Sequence, residues 1–416
     1  MRALEICAGS RKSRLENQKL RQGERLIRKA DHAEGAGANE IAAAARQATH
    51  ATGGATVRPV ELFAFESLGP EVERDWDELA DATGASPFRR PGWIGAWWNA
   101  FGDGTLELAT VRRDGRLAAV LPLRRHLGAL GSPTNWHTPE FGPVASDATS
   151  LRRLAHELLA LRPRRISLAF LDSGSETATC LREAAAARGF RVLERTLMSS
   201  PYLEIDQTWP EYERSLSRNV RGDAKRRLRR LEELGALTTD VRDGSERLEE
   251  LLTEGFRLEA SGWKGSSGSA IASQSRTEIF YRSVARWGAA QGILRIAFLR
   301  LDGVAIAFHY CLEHAGAHYF IKGGHDSAYS RYSPGKVLTH AMLSRAFSLG
   351  LSSYEFLGGE DPWKLRWTSS VRHRSLIHAF RPAPDGLLEW TVFNHGRRAA
   401  KRAAHVRPIA YLRRKG

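Results

Sequence analysis

The chain has 416 residues, 42% of them hydrophobic, and carries 62 lysines and arginines against 47 aspartates and glutamates, a formal net charge of +15. This length points to two or three domains, and the apolar fraction to a globular core rather than a disordered or fibrous chain. No apolar run reaches the ~18 residues of a membrane helix, the first residues lack a secretion signal, and three scattered cysteines make neither a disulfide framework nor a zinc site; a soluble, cytoplasmic protein is expected.

Residues 1–56 are polar and rich in Ala, Gly and charge, so they bury no useful apolar face and read as a disordered extension. Structure is expected from Val57. Residues 58–68 read as a strand and Pro70 to Thr83 as a helix. Trp93, Trp97 and Phe101 recur at helical spacing, a stripe that belongs in a core. Two alternating runs around Asp114-Gly115 make a β-hairpin. SLRRLAHELLAL and TATCLREAAAARG are helices, the second closed by Gly189, and RISLAFL, RVLERTL and PYLEI are strands.

The second half repeats this order. A long basic helix over about 211–234 is followed by helices over 246–260 and 275–290 and a hairpin around Asp302-Gly303. Then come the strand AHYFIKGG, a helix from about Gly335 to Leu349, and the strand SSYEFLGG. Gly115 to Ile166 is a step of 51 positions and Gly303 to Ser353 a step of 50, with the same elements inside each. One α/β unit is therefore expected twice, over 57–206 and 207–385, with a basic C-terminal tail over 386–416.

The excess charge is local. Residues 396–416 hold eight basic residues and no acid, and Arg214–Arg230 hold eight against Asp223 alone. Each segment suits a polyanion, and each is also what a solvated helix face or a frayed tail carries. Neither is interleaved with aromatics, which weighs against a single-strand nucleic-acid platform.

The most informative stretch is YSRYSPGKVL, residues 329–338, between a strand and a helix. Pro334 suits a helix start, and Gly335 lets a ligand approach the backbone. The first-turn amides of Gly335, Lys336, Val337 and Leu338 are expected to point outward, with the helix dipole and Lys336 adding positive potential. Together with Ser333 they form an expected pyrophosphate cradle.

Hairpin, third strand, glycine loop, helix and strand in this order resemble the GCN5-related N-acetyltransferase (GNAT) fold. LEASGWKGSSGSAI (258–271), LRLDGVAIAFHY (299–310), HDSAYSRYSPGKVL (325–338) and YEFLGGEDPWKLRW (354–367) look more specifically like the CelD-type acyltransferases, related to the FemAB peptidyltransferases. The start PFRRPGWIGAWWNAFG also resembles such proteins, and the likeness runs from about Phe63 to Phe380. It implies tandem GNAT-like units, each a mixed, mostly antiparallel sheet flanked by helices, with acetyl-CoA or another acyl-CoA as donor. His325 stands where the family tends to have an aromatic residue, and Trp363 where Tyr is common; both bear on the acceptor. The first half has Asp147 and no glycine at the matching helix start. An acid there repels phosphate, so that half is expected to bind no CoA.

Acyl transfer needs a group to take the acceptor's proton and donors for the oxyanion. Asp326, ending the third strand, is the first candidate for base or acceptor orientation, with a turn cap as its competing role. Glu355 is a second base, with an edge salt bridge competing. Lys364, in DPWKLRW, resembles a lysine that FemAB-like enzymes place near substrate, and its compact ammonium suits a phosphate or an oxyanion. Trp263, Lys322, His325 and Trp363 are the expected acceptor contacts, Trp263 being equally at home in a core. His309 and Cys311 read as core residues. HExxH and paired CxxC are absent, so no metal is implied.

The expected activity is acyl-CoA-dependent transfer to an amine or hydroxyl of a sugar, polysaccharide or cell-envelope precursor. Two alternatives stay open. One is a FemAB-like transferase using aminoacyl-tRNA, with Arg214–Arg230 on the RNA. The other is a non-catalytic scaffold in polysaccharide biosynthesis. Contact of the cationic tail with an anionic membrane surface is also open.

Overall fold

The computed structural model describes residues 61–64, 69–261 and 270–406. The expected extension over 1–56 and Trp263 lie outside them. The first half runs β1 (Glu61–Ala64), α1 (Pro70–Ala82), α2 (Pro91–Phe101), β2 (Thr105–Arg113), β3 (Arg116–His126), β4 (Ala129–Gly131), β5 (Val144–Ala145), α3 (Ala148–Ala160), β6 (Arg165–Asp172), α4 (Glu176–Ala187) and β7 (Arg191–Glu204). The second runs α5 (Trp209–Ser215), α6 (Arg218–Glu232), β8 (Leu237–Arg242), α7 (Leu248–Ala260), α8 (Ser275–Ala290), β9 (Leu294–Leu301), β10 (Val304–His314), β11 (Ala317–His325), α9 (Pro334–Ser348), β12 (Ser353–Glu355), β13 (Val371–Phe380) and α10 (Pro384–Val406).

All strands join one sheet in the order β1-β2-β3-β4-β6-β13-β7-β12-β11-β10-β9-β8, with β5 paired to β3. The order is a palindrome of two matching arms. Each arm is antiparallel except for one parallel pair, β4 with β6 and β11 with β12. These are the tandem GNAT-like units, with one addition: the halves exchange their last strands. Strand β13 lies between β6 and β7, and β7 lies between β13 and β12.

Local chemistry repeats with the topology. Both expected hairpins turn on Asp-Gly with positive φ at both residues, 53° and 80° at Asp114-Gly115, 48° and 82° at Asp302-Gly303, which is what a two-residue turn needs to match strand twist. The next turns do the same at Leu127-Gly128 and Ala315-Gly316. Phe170, five residues past the start of β6, and Leu357, four past the start of β12, are both left-handed.

The long basic helix expected over 211–234 is two helices. Ser217 adopts an extended conformation between them, and its hydroxyl caps the second by accepting from the Val220 amide. RVLERTL and PYLEI form the single strand β7. Strands β8 and β13 were not expected, and the residues read as a basic tail are helical as far as Val406.

One apolar cluster spans both halves. Trp93 and Phe280 are fully buried and meet edge to face at 5.2 Å between centroids. Here α2 crosses α8 so closely that a Cβ on Gly92 would fall inside the Trp287 indole. A second cluster, with Leu338, Met342 and Tyr354, lies under α6 and α9.

Candidate active site

Strands β11 and β12 pair only from Ala317–Ser353 to Tyr319–Glu355. Beyond that β11 continues to His325, still bonded to β10, while the chain after β12 turns away through left-handed Leu357 and Gly358. The gap opens a cleft of about 650 Å³. Its floor is Phe320–His325, one wall is the start of α9, and the other is the 357–364 segment. Its fourth side comes from the first half, through Trp136–Pro139 and Met198.

Three of the residues expected to form a cradle stand at this cleft. Ser333, Gly335 and Lys336 line the cleft. Ser333 is left-handed, and its hydroxyl accepts from Arg227 of α6 at 2.7 Å. A Cβ on Gly335 would have only His325 Nδ1 near it, at 3.8 Å, so the space over this backbone belongs to the cleft. Two corrections follow. The Lys336 amide donates to the Ser333 carbonyl at 3.0 Å and does not point outward. Pro334, Val337 and Leu338 are buried and none lines the cleft, because the helix's apolar stripe begins there.

Positive charge gathers at this end. Burial lowers the Lys336 pKa, and Arg227 and Arg366 lower it further, with Asp223 opposing. Asp223 accepts from Arg226 at 2.6 Å, Arg227 at 2.9 Å and Arg366 at 3.2 Å. Burial raises its pKa, but the hydrogen bond and charge of Arg227 and the charge of Arg366 outweigh that and leave it lowered. One carboxylate thus orders the guanidinium cluster beside the glycine.

Both expected bases are elsewhere. Asp326 caps the 3₁₀ turn Ser327–Tyr332, accepting from the Ala328 amide at 2.9 Å, and does not line the cleft. Glu355 faces a separate polar cavity, buried and held by Arg372 at 3.1 Å and Ser353 at 3.2 Å. For both the structural role won, because a carboxylate at a strand end bonds the nearest donors first.

Lys364 does line the cleft but is tied down. Its ammonium reaches the carbonyls of Leu357 at 2.8 Å and Gly359 at 3.1 Å and the Asp361 carboxylate at 2.8 Å. Three acceptors match its three N–H groups, so it staples the wall. Trp363 stands beside it, edge-on to Phe320 and Phe356. Lys322 and His325 line the floor as expected, Lys322 with its ammonium 5.6 Å over the Tyr281 ring.

His137, Tyr281 and His309 were missed. His137 Nδ1 is 3.1 Å from the Tyr281 hydroxyl, and its ring stacks on Phe101. Burial and then the charge of Lys322 push its pKa down to about 4. Burial also raises the Tyr281 pKa well above its usual value. His309, read as a core residue, is buried and also lines the cleft, its ring against Phe320. Nothing local in the sequence says that residues around 137 and 309 meet across the halves. Among the described residues no cluster of three or more His, Cys, Asp or Glu could hold a metal ion, and no helix is long and apolar enough to cross a membrane.

Residues 218–365 match a family described as Acetyltransferase (GNAT) domain. No curated protein matches the chain. Among solved structures, the crystal structure of FemX is similar at 12% identity, covering 76% of this chain and 96% of its own, with a TM-score of 0.53. A conserved protein of unknown function from Bacteroides thetaiotaomicron VPI-5482 is similar at 11% identity, covering 79% of this chain and 100% of its own, with a TM-score of 0.50. The two likenesses carry the fold, and the family match supports an acyltransferase of the GNAT superfamily.

Proposed function

We propose that the protein is an acyl-CoA-dependent acyltransferase, CelD-like in type, acting on an amine or hydroxyl of a sugar, polysaccharide or cell-envelope precursor. The carrying observation is the glycine-opened start of α9, facing a cleft and flanked by Lys336, Arg227 and Arg366. Backbone free of a Cβ, a helix N-terminus and clustered cations suit the phosphates of a CoA thioester. Past its short pairing with β12, β11 forms the cleft floor through Phe320–His325, the surface on which the thioester would lie in this reading. In direct transfer the acceptor oxygen or nitrogen bonds to the acyl carbon, the C–S bond breaks, and the leaving thiolate takes up a proton. In this reading His309 or His325, both lining the cleft, receives the acceptor's proton. His137, kept neutral by burial and the charge of Lys322, serves in this reading to hold the Tyr281 hydroxyl. The N-terminal half completes the acceptor end through Trp136–Pro139, and Trp363 faces it from the second half.

The second reading, an aminoacyl-tRNA donor, is supported by the basic helix α6 at the donor end of the cleft. A thermal-shift comparison separates the two. A donor at a hundred times its dissociation constant stabilises by about 2.7 kcal/mol. At about 2.1 cal/mol/K per residue over roughly 330 ordered residues, that is about 4 °C. Acetyl-CoA or a longer acyl-CoA should give this shift, and Gly335→Glu should abolish it with the unliganded melting temperature unchanged. Acetyl-CoA affinity retained in Gly335→Glu by calorimetry refutes the donor site; a shift with tRNA alone, steep in salt, establishes the second reading.

A further inference from the structure

Helix α10 packs one side on the sheet and leaves the other bare. On the packed side Phe393 meets His378 and Phe380, Glu389 accepts from Arg165 at 2.7 Å, and Trp390 lies under the Arg191 guanidinium. These positions recur at helical spacing and fix which way the helix is turned. On the opposite side stand Leu388, 66% exposed, Val392, 60% exposed, and Leu387, 40% exposed. A solvent-facing helix surface normally carries polar residues there. Directly after this patch the sequence holds Arg397, Arg398, Lys401, Arg402, Arg407, Arg413, Arg414 and Lys415 with no acid among them.

We propose that the outward face of α10, with Arg397, Arg398, Lys401 and Arg402 of the same helix, docks the protein on an anionic lipid surface. The two parts supply different terms. Aliphatic side chains standing proud of a helix gain free energy when they enter the headgroup–acyl boundary. Lysines and arginines close to a negatively charged leaflet add about 1 kcal/mol each, fading within a Debye length. One term alone gives only weak, reversible binding, and the two together give stable attachment. Charge also chooses among occupants. A second copy would bring eight more cations against the first eight, and three aliphatic side chains fall far short of the roughly 1,200 Å² that a stable interface buries. A nucleic acid would match the charge and leave the leucines and the valine in water. An acidic lipid surface satisfies both. None of these residues lines the cleft, and the site does not depend on the donor's identity.

The test is vesicle flotation of the full chain. Vesicles of phosphatidylcholine are compared with vesicles holding about 30% phosphatidylglycerol, a content that gives the surface a strongly negative potential. The protein should float with the anionic vesicles and not with the neutral ones, and high salt should weaken the binding. Leu388→Asp with Val392→Asp should weaken it about tenfold, since both side chains leave the boundary region. Arg397→Gln, Arg398→Gln, Lys401→Gln and Arg402→Gln together should weaken it about a thousandfold. Melting temperatures equal to the parent's show that the variants fold. Three results overturn the proposal: no flotation of the parent, equal flotation with both vesicle types, or either variant floating as the parent does. A change in sedimentation mass with Leu388→Asp and Val392→Asp, or loss of tRNA binding in place of lipid binding with the glutamine set, overturns it too, assigning the face to a second copy or to RNA.

Discussion

Replacing Lys364 with Met keeps the stem and removes the ammonium. A lysine held in a cleft for its substrate has no protein partner to lose, and taking such an uncompensated buried charge away leaves stability equal or higher. Lys364 is built differently. Its removal strands the Leu357 carbonyl, whose bond to it is buried, and partly strands that of Gly359. Asp361 is 55% exposed at its side chain and regains water. One fully and one partly unsatisfied acceptor cost about 2–4 kcal/mol. At about 1.4 °C per kcal/mol, from ~2.1 cal/mol/K per residue over roughly 330 residues, the melting temperature should fall by about 3–6 °C. The staple also holds two consecutive left-handed residues, Leu357 at φ 53° and Gly358 at φ 59°, so limited proteolysis should find this segment opened. Thermal unfolding at neutral pH, parent against Lys364→Met, reads the result directly. An unchanged or raised melting temperature would show that the three contacts hold nothing, and Lys364 would return to the list of substrate groups.

His137 gives a pH signature. Its pKa falls from 6.5 to about 4 on folding, so between those values the unfolded chain binds the proton that the folded one refuses; stability should be lost as pH drops through 6.5 toward 4. The contribution is about 1–3 kcal/mol, and His137→Gln should flatten melting temperature against pH in that window; an equally steep slope in the variant would assign it to other groups. Gly324→Ala should lower stability by about 1–3 kcal/mol or more, because a Cβ there would lie 2.8 Å from the Glu259 backbone nitrogen and 2.9 Å from the Leu258 carbonyl, atoms of α7 that cannot swing aside. Gly335→Ala, with only a 3.8 Å neighbour, should be nearly neutral, and equal losses at the two glycines in denaturant titrations would contradict the packing.

What could be read from the sequence was local. Asp-Gly between alternating runs dictates a hairpin wherever it occurs, and both formed. The helix opening at Pro334-Gly335 was legible because proline and glycine act on their own backbone. The misreadings share a cause. Ser217 breaks a helix that periodicity alone continues, through one side-chain bond. Strand β13, VRHRSLIHAF, alternates too weakly to declare itself, with Arg374 bonded to Asp172 and Glu140 and His378 to Ser167, each some 200 or more positions earlier. Asp326 and Glu355 have the right chemistry at strand ends, but which side of the sheet a carboxylate serves depends on donors brought from afar. The cleft's fourth wall, Trp136–Pro139, is likewise a product of how the halves meet.

The trading of final strands between the halves has a consequence for synthesis. Strand β6 is complete at Asp172, yet its neighbour β13 begins only at Val371. The amino-terminal portion therefore leaves the ribosome with a raw β-edge that nothing local can cover, for the time taken to add some two hundred residues. Unpaired edges of this kind invite aggregation. Closing this edge must wait for β13, so truncated forms ending after β7 should be recovered as insoluble material and not as a smaller working domain.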